Sequence, residues 1–123
     1  MSQIDSSGLS LTLSQKQFLF PRLLMQLFQK AWSLDYDFKM GYCLRSQEEQ
    51  NRLVAVGASK TRHSTHLRSL AFDMLLFKDG DYLIKASDYE QLGEYWETLH
   101  PLCRWGGRFG DGDHFSIEDQ GVK

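Results

Sequence analysis

Two histidines and two aspartates carry the chemical interest of this sequence. They stand in the pattern Ser64-x-His66, Ala71-x-Asp73 and Asp111-x-x-His114. Two imidazoles and one carboxylate are what a catalytic zinc asks for, because three protein ligands leave the fourth position to water. His66, Asp73 and His114 supply that set. Asp111, a short way before His114, stands where a general base could reach such a water. These residue types point to a zinc hydrolase.

Each residue also has a plainer reading. Asp73 lies in Leu70-Ala71-Phe72-Asp73-Met74-Leu75-Leu76-Phe77, a run apolar enough for a buried strand. A lone carboxylate there costs several kcal/mol, so it needs a cation. A buried Arg or His partner would serve as well as a metal. His66, at the end of the preceding loop, can reach the same point. His114 alone reads equally as a satisfied histidine, but it follows the glycine-rich stretch Gly106-Gly107 and Gly110-Asp111-Gly112, which lets backbone turn sharply beside a site. If His114 opens a strand, His114 and Ser116 share one face and Asp113 points away. Asp111, on the preceding turn, is therefore preferred over Asp113 as base. His63 and His100 have no motif around them.

The elements that must position these residues can be read from caps and periodicity. Ser14 with Gln17 predicts a helix over residues 15–32, with Phe18, Leu19, Leu23, Leu24, Leu27 and Phe28 as its apolar side and a kink or later start at Pro21. Ser46 with Glu49 predicts a second over 47–56, stopped by Gly57. Ser87 with Glu90 predicts a third over 88–100, its Tyr89, Leu92, Trp96 and Leu99 forming a core face. Strands are expected over 38–44, 70–77 and 114–117, with Asp79-Gly80 turning the second into a hairpin over 82–84. About three helices with a small antiparallel sheet make an α+β fold.

Bulk properties set limits. A chain of 123 residues, 41% hydrophobic and 13% aromatic, fits one domain with an ordinary core, here residues 1–123. A net charge of -2 gives no reason to expect nucleic acid or anionic lipid as a partner. No apolar run approaches the roughly 18–20 residues of a membrane span, and residues 1–7 lack the features of a secretory signal. Cytosolic accumulation and a monomer are expected. Cys43 and Cys103 read as small apolar residues rather than a disulfide pair or metal ligands.

The stretch Ser64-Thr65-His66-Leu67-Arg68-Ser69-Leu70-Ala71-Phe72-Asp73 resembles the SxHxxGxAxD motif of the zinc D-Ala-D-Ala carboxypeptidase family. Trp105-Gly106-Gly107 with Asp111-Gly112-Asp113-His114-Phe115 is similar to that family's WGG and (D/E)xxH elements. The family includes L-alanyl-D-glutamate peptidases of phage endolysins and shares its fold with the hedgehog signalling domain. The resemblance spans about residues 38–118. It implies Zn²⁺ on His66, Asp73 and His114, Asp111 as base, and Arg45 and Ser64 on the substrate side. It implies hydrolysis of peptidoglycan stem peptides at L-Ala–D-Glu by a phage or prophage endolysin that acts on the wall after release. A host D-Ala-D-Ala carboxypeptidase or dipeptidase, and a non-catalytic zinc-containing binding module, are the alternatives. One position departs: the family's glycine is Ser69 here. If φ is positive there, serine costs about 1 kcal/mol and shifts the loop.

Overall fold

A computed structural model describes residues 3–4, 10–61 and 63–123. The reading of residues 1–7 as lacking a signal falls mostly outside the described residues. Among them, no helix is long and apolar enough to cross a membrane.

The chain opens with a short antiparallel ribbon, β1 (Gln3–Ile4) against β2 (Ser10–Leu11). Helix α1 (Leu13–Ser33) follows. Its start differs from expectation. Thr12 is the cap: its Oγ1 accepts the Gln15 N–H at 3.1 Å, and Gln15 Oε1 accepts the Thr12 N–H at 2.8 Å. The Ser14–Gln17 pair has the same spacing but sits inside the helix, which continues through Pro21. The buried stripe is Lys16, Phe20, Leu23, Leu27 and Ala31, so a lysine occupies its first position. Phe18, expected on that side, is 75% exposed.

Strand β3 (Asp37–Met40) is shorter than the sequence suggests. Helix α2 (Gln47–Ala55) begins where expected, with Ser46 Oγ accepting the Glu49 N–H, and Gly57 follows it at φ +77°. Next come β4 (Ala71–Lys78) and β5 (Asp81–Tyr82), joined by Asp79-Gly80 with both residues at positive φ, the geometry a two-residue hairpin needs. Helix α3 (Ala86–Leu99) starts earlier than predicted: the Lys85 N–H donates to Asp88 Oδ2, not Ser87 to Glu90. Strands β6 (Cys103–Trp105) and β7 (His114–Ile117) end the sheet; β6 had no sequence signal strong enough to predict it.

The sheet is antiparallel, in the order β3-β4-β7-β6, with β5 paired to one end of β4. Alternation divides its faces. Phe72, Met74 and Leu76 of β4 and Phe115 and Ile117 of β7 join Leu23 and Leu27 of α1 and Leu92 of α3 in one buried cluster. Trp96 is its centre, edge-on to Phe20 and Phe115, with its indole N–H 3.1 Å from the carbonyls of both Arg104 and Ser116. Burying one such large apolar side chain contributes about 1.5–3 kcal/mol. The other face of β4 and β7 carries Asp73, His114 and Ser116. The architecture is α+β.

Candidate metal centre and cleft

Register brings the first two candidates together. Asp73 and His114 are directly opposed on β4 and β7, and opposed residues present their side chains to the same face. His66 arrives from a 3₁₀ turn, Thr65–Arg68, just before β4. Ser64 caps that turn, its Oγ accepting the His66 N–H at 3.2 Å. Ser69 closes it at φ 56° and ψ 37°, the left-handed region in which glycine is unstrained. The conditional cost attached to serine at this position therefore applies.

Beside the site, Gly41 and Gly106 allow close approach of backbone. A Cβ on Gly41 would lie 2.9 Å from the Asp73 Cβ and carbonyl oxygen. Gly41 and Tyr42 bond to the Asp73 backbone instead of continuing β3 regularly, which is why that strand ends early. A Cβ on Gly106 would lie 2.0 Å from the Asp111 carbonyl oxygen and 2.6 Å from the His114 Cβ. The second WGG glycine, Gly107, lies against the ring of Trp105, whose indole N–H donates to the Gly112 carbonyl at 2.7 Å.

His66 Nδ1 lies 3.0 Å from the Cys43 carbonyl oxygen. A carbonyl only accepts, so Nδ1 carries the hydrogen and Nε2 faces Asp73 Oδ1 at 3.1 Å. His114 Nδ1 faces the same oxygen at 3.6 Å. Two neutral imidazole lone pairs facing a carboxylate repel it unless a proton or a metal ion lies between them. Tetrahedral zinc with bonds of about 2.0–2.1 Å separates its ligand atoms by about 3.3 Å, so both distances suit one ion. The His66–Cys43 bond is the usual outer support of a metal-ligating imidazole, fixing its tautomer and orientation. Donor chemistry and spacing together fit zinc on His66, Asp73 and His114, whose ligand atoms lie within 4.8 Å of one another.

The electrostatics fit as well. Burial works against ionisation of Asp73, but with protons rather than a metal ion between it and the imidazoles, hydrogen bonds and charge from His114 and His66 outweigh that burial and hold the carboxyl at about 2. Asp111 is half-exposed, its Oδ2 lying 3.8 Å from His114 Nδ1. Asp113 does not point away, contrary to expectation. Its carboxylate groups with those of Asp73 and Asp111. Burial first, then the charge of Asp73 and the hydrogen bond and charge of Asp111, push it up to about 8.

Arg45 is not a surface residue. Its side chain is 9% exposed, with Nη2 3.4 Å from Asp73 Oδ2 and the guanidinium 4.3 Å over the Tyr42 ring. Nη1 donates to Gln50 Oε1 at 2.6 Å. Gln50, fully buried in α2, also donates to Ser59 Oγ and the Thr61 carbonyl. This fixing of Arg45 was missed in the sequence, where Gln50 is one polar residue in a polar helix. Arg45, His66, Asp73, Asp111 and His114 line a cleft of about 530 Å³, with Ser64 and Phe109 on its walls. A second cavity of about 770 Å³ adjoins it across Thr61, His63 and Phe109. His63 is exposed at that border, and His100 accepts the Leu102 N–H, away from the cleft. Both cysteines are free thiols; Cys103 is buried, and Cys43 serves the site through its carbonyl.

No protein-family model matches the sequence, and no curated protein does. Among solved structures the chain is similar to the L-Ala D-Glu endopeptidase ChiX of Serratia marcescens. The TM-score is 0.63 at 25% identity, over 80% of this chain and 79% of that one.

Proposed function

We propose that this chain is a zinc-dependent peptidase that hydrolyses peptidoglycan stem peptides at the L-Ala–D-Glu bond. The observation that carries the proposal is the convergence of His66 Nε2, Asp73 Oδ1 and His114 Nδ1 beside the half-exposed carboxylate of Asp111 in an open cleft. The likeness to an L-Ala D-Glu endopeptidase supports the substrate class.

His66, Asp73 and His114 would hold the ion. When bound, it supplies Lewis acidity, which lowers the pKa of water and polarises a carbonyl. The chain's own groups do the rest. Asp111 takes the water's proton on its carboxylate and returns it to the leaving amine. Arg45, fixed by Gln50 and stacked on Tyr42, presents donors beside Asp73 that orient a substrate carboxylate or carbonyl. Ser64 lines the same wall. A phage or prophage lysis enzyme that waits in the cytosol and reaches the wall after release belongs to the same proposal.

The test is a mass-spectrometric digest of Gram-negative peptidoglycan with zinc and with chelator. Stem peptides cut between L-Ala and D-Glu, and lost on chelation, are expected. Release of terminal D-Ala alone would replace this reading with a carboxypeptidase. Unchanged peptidoglycan would reject the peptidase assignment.

A further inference from the structure

Behind the cleft, three charged side chains from distant parts of the chain meet. Lys16 of α1 is 1% exposed, and its Nζ lies 2.9 Å from Asp119 Oδ1. The second oxygen of Asp119 receives Nη1 of Arg68. Arg68 is the last residue of the 3₁₀ turn that carries His66. The Arg68 carbonyl also accepts the Gln17 side-chain N–H at 2.8 Å. The trailing end of the turn is thus tied to α1 twice, once directly and once through Asp119.

The turn needs such support. One 3₁₀ turn of four residues has little stability of its own. Ser64 caps its leading end, but its trailing end runs into Ser69 in the strained left-handed region. Filling the first buried position of α1 does not require a charge, since apolar residues of similar volume usually stabilise as well or better. A buried ammonium whose carboxylate partner is also buried does provide a rigid anchor. Here that anchor reaches directly to the turn bearing His66.

We infer that Lys16, Asp119 and Arg68 are positioning residues for the metal centre, holding the His66 turn so that Nε2 stays aimed at Asp73. The inference rests on the zinc reading above. None of the three touches substrate or metal.

The test is zinc affinity, by competition with a chelating dye, on purified full-length protein, together with the visible spectrum of the cobalt-loaded form and the melting temperature of the metal-free form. Arg68→Ala leaves the Lys16–Asp119 pair intact and strands no buried charge. It is expected to weaken zinc binding about tenfold, as loss of outer support for a ligand does, and to alter the cobalt spectrum, with little change in metal-free melting. Arg68→Lys is expected to recover most of the affinity. Should Arg68→Ala not fold, Arg68→Met, which keeps the length of the side chain without a donor for Asp119, carries the same comparison. Parent-like zinc affinity and cobalt spectrum in the variant would overturn the positioning role alone. A parent protein that binds no zinc would remove the metal reading, and this inference with it.

Discussion

At the scale of single residues, Asp111 is the group proposed to take the water's proton, from its place 3.8 Å from His114 Nδ1. Asp111→Ala is expected to keep zinc at one equivalent while hydrolysis falls about 10²–10⁴-fold, the usual weight of a general base. Metal analysis beside a turnover assay checks both halves, and an undiminished rate would remove Asp111 from the mechanism. Ser69→Gly tests the strain at φ 56°. Glycine there should raise stability by about 1 kcal/mol in chemical denaturation, and no gain would mean that the turn's neighbours already absorb the cost. The sequence made the meeting of His66, Asp73 and His114 legible because a carboxylate in an apolar strand demands a cation. Asp113 was misread for a physical reason. Strand alternation says which way its side chain leaves β7 only if β7 begins before it, and the strand begins at His114.

At the scale of elements, long periodic segments and β4 were legible, whereas boundaries were decided by local hydrogen bonds. Three candidate caps had the right spacing, but only Ser46 caps its helix; Thr12 caps α1, and α3 starts after Lys85, whose N–H bonds the Asp88 side chain. Strand β6, at Cys103–Trp105, is too short to show alternation. Lys16 was invisible as a core residue because its partner Asp119 is far away in sequence. The 3₁₀ turn Gly106–Phe109 packs against the start of β7 so closely that a methyl group has no room. Gly106→Ala should therefore cost about 1–3 kcal/mol as overpacking and lower zinc occupancy by displacing Asp111 and His114. A melting curve with metal stoichiometry checks this, and unchanged values for both would show that the turn yields freely.

At the scale of the whole molecule, the buried Lys16–Asp119 pair, joined by the partly exposed Arg68, ties α1, the His66 turn and the segment after β7 into one body. It also sets a pH response. Burial disfavours the Asp119 carboxylate, but Lys16 and Arg68 outweigh it and hold its pKa below the ordinary 3.8. The folded state therefore binds fewer protons than the unfolded state in that range. The stability this provides is fully present above about pH 4 and is lost as pH falls through the folded value. The denaturation midpoint of the metal-free protein should drop in acid, and less so in Lys16→Met/Asp119→Leu, where neither charge remains. An identical acid limb in the double variant would assign the loss to other carboxylates. The strand order bears on how the protein is made. β7 lies between β4 and β6 although it follows both in the chain, and His114 is synthesised about forty residues after Asp73. A ribosome therefore releases His66 and Asp73 on a sheet whose central strand does not yet exist, and the intervening loop must close before that strand can pair. All three ligands can come together only after β7 has emerged and paired with β4.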